Sequence, residues 1–136
     1  MTTTDETFER WRSSLQRSGF AERQYRYDAE SFGNRYLLVE RPGLAIRIAH
    51  DRGISSIDVA SSATDEWFDI ALVLRMLGAP QGIGSSDAKS DMEELLANLD
   101  RVAGAFDAAE ITATKEALHR LEAKRARMMF GSSLSG

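Results

Sequence analysis

Residues 35–60 read RYLLVERPGLAIRIAHDRGISSIDVA, and this stretch decides the fold. It consists of three runs of β-forming residues, separated by Pro42-Gly43 and by a second turn at 51–53. Proline presets the first φ of a type II turn and glycine supplies its positive φ, so the first break is typical of a tight turn. Tight turns join antiparallel strands, because parallel strands need long crossover connections. The stretch therefore predicts an antiparallel meander of three strands.

The residues before this stretch extend the predicted meander and add a helix. Residues 22–28 alternate polar and aromatic side chains, which favours a further exposed strand. We therefore expect a three- to four-stranded antiparallel meander over about 22–60. Apolar side chains between Phe8 and Leu15 are spaced three and four apart, which indicates one apolar helix face. This spacing predicts an N-terminal helix over 4–18.

Three helices are predicted after the meander. The run 67–77 is apolar almost all round, which is typical of a helix buried on several sides, and we place that helix at about 65–77. Apolar residues at three- and four-residue spacing predict a second helix over 87–106 and a third over about 110–129. We expect a single α+β domain, residues 1–136, in which the three helices pack on one face of the meander.

Composition limits the compartment and the chemistry. The chain has no cysteine, which excludes disulfides, thiolate metal ligands and a thiol nucleophile. No apolar run approaches the roughly 20 residues that span a bilayer. The first six residues lack the basic and apolar segments of a signal peptide. We expect a cytoplasmic protein that does not associate with membranes.

Charge is distributed unevenly along the chain, whose net charge is −4. Residues 53–110 hold three basic and eleven acidic residues, a net −8, whereas residues 111–136 hold five basic and two acidic residues, a net +3. An acidic central segment repels nucleic-acid phosphates and attracts a basic partner. We predict a basic protein partner and no nucleic-acid binding. A solvated surface that only keeps the protein soluble is the alternative.

Catalytic and metal-binding motifs are not recognisable in the sequence. His50 and His119 are the only histidines, and no second ligand lies at a metal-binding spacing from either. Residues 82–87 contain glycines before a helix, but they lack the lysine of a P-loop and follow a helix rather than a strand. We predict no enzyme activity, no catalytic residue, no metal and no cofactor. A ligand-binding or enzymatic domain with a pocket near His50 is an alternative.

The candidate partner-binding residues combine acidic side chains with one tryptophan. Asp65 and Asp69 are four residues apart on the predicted helix, and Asp87 and Asp91 repeat that spacing on the next one. Stabilisation of the helix N-termini is an alternative explanation for both pairs. Trp67 is a candidate anchor, because aromatic side chains dominate binding hot spots. The full candidate set is Asp58, Asp65, Glu66, Trp67, Asp69, Asp87, Asp91 and Glu94.

A resemblance adds a specific function to these predictions. The segment FGNRYLLVE at 32–40, the two turns that follow it and the segment WFD at 67–69 resemble small α+β proteins of high-GC bacteria. Some of those proteins are similar to immunity proteins of polymorphic toxin systems. The resemblance covers about residues 32–78 and implies an inhibitor that neutralises a cognate toxin in the cytoplasm by direct binding, without catalytic residues. An adaptor or self-associating module is the alternative, and the choice between monomer and homodimer stays open.

Overall fold

The computed structural model describes residues 4–28, 34–52, 54–62, 66–78 and 88–134. Its elements, in chain order, are α1 (Thr4–Arg17), β1 (Ala21–Asp28), β2 (Asn34–Arg41), β3 (Leu44–Asp51), β4 (Ile54–Ala60), β5 (Phe68–Asp69), α2 (Ile70–Met76), α3 (Ala88–Ala97), α4 (Leu99–Ala105) and α5 (Ile111–Leu134). An N-terminal helix, an antiparallel meander and the helices that follow it confirm the predicted α+β class.

The sheet is an antiparallel meander with the strand order β1-β2-β3-β4-β5. Its first four strands form the predicted meander, and the two-residue strand β5 pairs with the end of β4. Gly43 has a φ of 90° in the β2–β3 turn, as the Pro-Gly pattern requires. Arg52, with a φ of 54°, turns the chain between β3 and β4, and its N–H donates to Asn34 Oδ1 at 3.0 Å. These short turns fix the register of the central strands.

The strand register separates an apolar face from a polar face. The inner face carries two aligned apolar rows, Leu37-Ile48-Ile57 and Val39-Ile46-Val59-Phe68. The outer face carries the row Leu38-Arg47-Asp58-Asp69. Because side chains alternate along a strand, each inner residue is followed by an outer one. The alternation thus decides which side chains enter the core and which stay available on the other side of the sheet.

The core lies between the inner face and the helices. All five helices contribute buried side chains to one cluster, including Phe8 and Leu15 from α1, Ile70 and Val73 from α2, Met92 and Leu95 from α3, Val102 from α4 and Leu118 from α5. Phe68 of β5 contacts Phe106, which follows α4, with ring centroids 6.4 Å apart. The prediction that the helices pack on one face is confirmed. The outer-face row lies outside this core.

The second helix begins at Ile70, later than the predicted range of 65–77. Phe68 and Asp69 pair with the end of β4 instead, and Phe68 is thereby buried. The Asp69 side chain accepts a hydrogen bond from the N–H of Ala71 at 3.0 Å and caps α2. The predicted N-terminal boundary is therefore wrong, because pairing with β4 holds the chain extended up to the capping residue.

The predicted helix over 87–106 is interrupted at Asn98, which separates α3 from α4. Asn98 has a φ of −117° and a ψ of 22°, outside the helical region. Its Nδ2 donates to the carbonyl oxygen of Glu94 at 2.7 Å, and its backbone N–H donates to the same oxygen at 3.0 Å. A side chain that competes for a helical carbonyl distorts the helix, and apolar spacing does not reveal this. The last helix, predicted over 110–129, ends at Leu134.

Candidate functional site

Trp67 lies at the centre of the candidate site, on the outer face of the sheet. Phe68 points into the core, so the alternation along extended chain turns Trp67 to the opposite side. The indole is half-buried, and the Arg47 guanidinium lies 4.5 Å from the centroid of its ring. Arg47 Nη2 donates to Asp58 Oδ2 at 3.0 Å. Trp67, Arg47 and Asp58 therefore form one stacked and hydrogen-bonded unit.

Two further candidate carboxylates are paired with α5. Asp69 Oδ2 accepts a hydrogen bond from Arg125 Nη1 at 3.1 Å. Glu66 lies 2.6 Å from His119 Nε2 and 3.6 Å from Lys115 Nζ. The hydrogen bond with His119, together with the charge of Lys115, lowers the pKa of Glu66 below its ordinary value. Both carboxylates are thus held by the basic C-terminal segment of the chain.

We call Arg47, Asp58, Glu66, Trp67 and Asp69 the Trp67 surface. Each of its three carboxylates pairs with a basic side chain. The surface therefore carries charges of both signs, although the linear segment that contains most of it has a net charge of −8. Glu66 and Asp69 still expose 41% and 44% of their side-chain surface, so their oxygens are open to further donors.

Two of the other predicted site residues, Asp91 and Glu94, do not join this surface. Asp65 and Asp87 lie outside the described residues. Asp91 and Glu94 are on α3, which packs on the inner face of the sheet through buried side chains such as Met92. They are therefore on the other side of the sheet from the Trp67 surface. Of the eight candidates, the structure brings together Asp58, Glu66, Trp67 and Asp69.

Arg47 belongs to the Trp67 surface but is not among the site residues predicted from the sequence. Its position beside Asp58 could have been predicted, because the turn at 51–53 sets an antiparallel register that places Arg47 opposite Asp58. No comparable signal pointed to Arg125 or His119, since each is more than fifty residues away from its carboxylate partner along the chain. Their pairing depends on how α5 packs against α2 and β5.

The two histidines have ordinary polar partners. His50 Nδ1 lies 2.8 Å from Ser55 Oγ, and His119 contacts Glu66 and the ring of Phe68. Among the described residues, no group of three or more potential ligands is placed to hold a metal ion. One surface cleft of the described chain is lined by Ser18, Arg41 and residues 96–101, another lies between α2 and α5, and neither of these includes a histidine.

Searches for known relatives add no functional assignment. Comparison of the chain with protein-family models, with curated proteins and with solved structures found no match in any of the three. Within the described ranges, no helix has both the length and the apolar character needed to cross a membrane. A functional assignment for this α+β protein therefore depends on its surfaces.

Proposed function

We propose that the chain is a protein-binding inhibitor, an immunity protein that neutralises a bacterial toxin domain by direct binding through the Trp67 surface. The observation that supports the proposal is a tryptophan stacked on an arginine, on a sheet face outside the helix-covered core. Tryptophan and arginine are enriched among the residues that dominate protein–protein binding energy. A half-buried indole in this position offers apolar surface to a partner at little additional entropic cost.

The Trp67 surface is held in place before any partner arrives. Asp58 fixes the Arg47 guanidinium through a hydrogen bond of 3.0 Å, and the guanidinium in turn lies over the Trp67 ring. Backbone pairing of β5 with β4 fixes the neighbouring Asp69. Immobilising a flexible side chain on binding costs about 0.5–1.5 kcal/mol, and prior fixation avoids much of that cost.

The charges of the Trp67 surface indicate which chemical groups a partner surface should carry, which the net charge of the sequence alone does not. All three carboxylates already pair with basic side chains of the chain, but Glu66 and Asp69 expose 41% and 44% of their side-chain surface, against 23% for Asp58, so they are the more accessible to a cationic partner. We therefore expect a toxin surface with an apolar pocket for Trp67 and cationic residues at the rim of that pocket. Rim charges of this kind act chiefly on specificity and on the association rate.

Co-expression with the product of the adjacent gene tests the proposal. If that product is a toxin, we expect the chain to protect the host and to form a complex that survives purification. Trp67→Ala should weaken binding by about 30-fold, the size of a hot-spot truncation of about 2 kcal/mol. Calorimetry or biolayer interferometry gives the affinity.

Ile54→Ala is the matched control for this experiment. Ile54 is 73% exposed at the end of β4 remote from β5, so its truncation removes apolar surface without touching the Trp67 surface. We expect that variant to bind like the wild type. A neighbouring product that is neither toxic nor bound contradicts the proposal, as does a Trp67→Ala variant of undiminished affinity.

A self-associating module is a second candidate because β1 forms an edge of the sheet. The eight residues Ala21–Asp28 pair with β2 on one side and lie at the end of the strand order. An edge strand presents unpaired backbone groups that accept another strand. The bulge between Glu22 and Gln24 opposes such pairing. Light scattering over a wide concentration range distinguishes the candidates, since a stable homodimer supports self-association and a monomer throughout contradicts it.

A further inference from the structure

A second surface, on another side of α5, differs from the Trp67 surface in charge. A cleft of about 650 Å³ lies between α2 and α5. Its lining combines four cations with apolar side chains, chiefly Arg75, Arg120, Lys124, Arg127, Met76 and Leu121. We call it the basic cleft. This volume falls within the range of about 300–1,000 Å³ that is usual for binding clefts. It is large enough to take several side chains of a partner.

The basic side chains of α5 fall into two groups. Lys115, His119 and Arg125 pair with the carboxylates Glu66 and Asp69. None of the four cations of the basic cleft forms an ion pair with any carboxylate of the described chain, and all four are exposed. The positive charge of the basic cleft is therefore not neutralised by an ion pair within the described chain.

The spacing of these cations costs helix stability in the absence of a ligand. Arg120 and Lys124 are four residues apart on α5, and Arg127 follows three residues later. Like charges at these spacings repel one another by a few tenths of a kcal/mol per pair. Glu116, one turn before Arg120, offsets at most one of them. A ligand that supplies several carboxylates would relieve this repulsion.

Apolar side chains in the same cleft indicate that the ligand is not purely ionic. Met76 and Leu121 are half-buried in the lining, and Met128, one turn beyond Lys124, is 70% exposed. The α5 part of the cleft, residues 117–127, extends about 15 Å along the helix axis at 1.5 Å per residue. That length accommodates about three turns of a partner helix, and methionine adapts readily to the side chains of such a helix.

Nucleic acid fits the cleft less well than an acidic protein segment. The chain has a net charge of −4, so a phosphate backbone longer than the cleft meets net repulsion from the rest of the molecule. The aliphatic side chains of Met76 and Leu121 also offer no aromatic platform for stacking a base.

We propose that the basic cleft between α2 and α5 binds an acidic amphipathic helix of a partner protein. Carboxylates of that helix pair with Arg75, Arg120, Lys124 and Arg127, while its apolar side chains pack on Met76 and Leu121. This surface is separate from the Trp67 surface and takes a ligand of opposite charge. It gives the chain a second binding partner or a second contact with the same one.

Fluorescence anisotropy with a model peptide tests the proposal on the full chain. The probe is a fluorescein-labelled peptide of about 18 residues, with leucines at positions i, i+3, i+4 and i+7 and glutamates between them. The reference probes are the same peptide with glutamine for every glutamate and an oligothymidylate of equal charge. We expect saturable binding of the acidic peptide that weakens as salt rises, and at least tenfold weaker binding of both references.

Charge substitutions test whether the acidic peptide binds in the basic cleft. Arg120→Glu with Lys124→Glu should weaken the acidic peptide about tenfold or more, and the milder Arg120→Gln with Lys124→Gln should act in the same direction. Arg10→Glu with Arg26→Glu makes the same change in net charge on exposed residues of α1 and β1 and should leave binding nearly unchanged. Far-UV circular dichroism confirms that each variant is folded.

Three outcomes would overturn the proposal. They are equal affinity for the glutamine peptide, tighter binding of the oligothymidylate, and equal loss of binding in the α1 and β1 control. Trp67→Ala should leave peptide affinity unchanged, because Trp67 lies outside the cleft. Absence of peptide binding would therefore not contradict the toxin-binding proposal. Absence of toxin binding would likewise not contradict the proposal for the basic cleft.

Discussion

Glu22 anchors α1 to the edge strand β1 through charge-assisted hydrogen bonds. Arg12 donates to both carboxylate oxygens of Glu22, at 2.7 and 2.9 Å, and Gln16 Nε2 donates at 2.6 Å. The bond from Arg12 is the main cause that holds the pKa of Glu22 below its ordinary value of 4.5. The same pairing raises the pKa of Arg12.

This lowered pKa makes part of the stability depend on pH. A carboxylate with a lowered pKa in the folded state stabilises the fold above its unfolded pKa, and this contribution disappears as pH falls through the folded value. Glu22→Gln should therefore cost about 1 kcal/mol at pH 7 and progressively less below about pH 4.5.

Urea denaturation from pH 7 down to pH 3 checks the Glu22 prediction. Glu93→Gln, a substitution of an exposed carboxylate on α3, serves as the control and should track the wild type. Glu22→Gln and wild-type curves that run parallel across the acidic range would show that the Arg12–Glu22 contact does not contribute in this way.

The junction between β5 and α2 depends on two roles of Asp69. Its carboxylate caps α2 by accepting from the N–H of Ala71 at 3.0 Å and also pairs with Arg125 of α5 at 3.1 Å. Asp69→Ala removes both interactions, and a lost cap alone costs about 1 kcal/mol. Asp69→Asn keeps an oxygen for the cap and loses only the ion pair, which at an exposed site is worth less than about 1 kcal/mol.

Chemical denaturation of the two Asp69 variants separates these roles. We expect Asp69→Ala to be clearly less stable than Asp69→Asn. The variant Arg125→Gln should match Asp69→Asn, because it removes the same pair from the other side. Equal destabilisation by alanine and asparagine would show that the cap contributes little to α2.

The sequence predicts elements well where their determinants are local. The Pro42-Gly43 turn and the alternation after it indicate the central hairpin, and both appear in the structure. The predicted start of α2 is wrong because an apolar run is compatible with both a buried strand and a buried helix. Backbone pairing with Val59 places Phe68 in a strand. The break at Asn98 was missed because it depends on one side-chain hydrogen bond and not on apolar spacing.

The candidate site shows the same division between local and distant determinants. Residue type and neighbours predict Trp67 as a candidate anchor, but its place opposite the core follows from the position of Phe68 on a strand. Arg47 was predictable from strand register. The partners of Glu66 and Asp69 come from α5, and no pattern in residues 65–69 specifies them.

Across the whole molecule, the uneven linear charge is partly cancelled by folding. The acidic segment 53–110 and the basic segment 111–136 meet where α5 passes β5, and Arg47 neutralises Asp58 from the neighbouring strand. The net charge of a segment is therefore a poor guide to the charge of a surface. The basic cleft is positive for the same reason, since its cations remain after those that face β5 have been paired.

One hydrophobic core joins distant parts of the chain, which predicts that the sheet and the helices unfold together. The buried cluster includes Phe8 of α1, Ile48 of β3 and Leu118 of α5. Domains of this size with a shared core usually unfold in one cooperative transition. We therefore expect helix content and the local environment of the sheet to report the same denaturation midpoint.

The two tryptophans allow that prediction to be checked at separate places. Trp11 is 8% exposed on α1, whereas Trp67 lies beside β5. Trp67→Phe and Trp11→Phe leave one reporter each, and within each variant the fluorescence and far-UV circular dichroism transitions in urea should coincide. A helix signal that is lost at lower urea than the Trp67 signal would mean that the helices after residue 88 separate from the sheet before it unfolds. In that case the core would consist of two cooperative units, and only the Trp67, Arg47 and Asp58 part of the Trp67 surface would remain on the sheet, because the partners of Glu66 and Asp69 belong to α5.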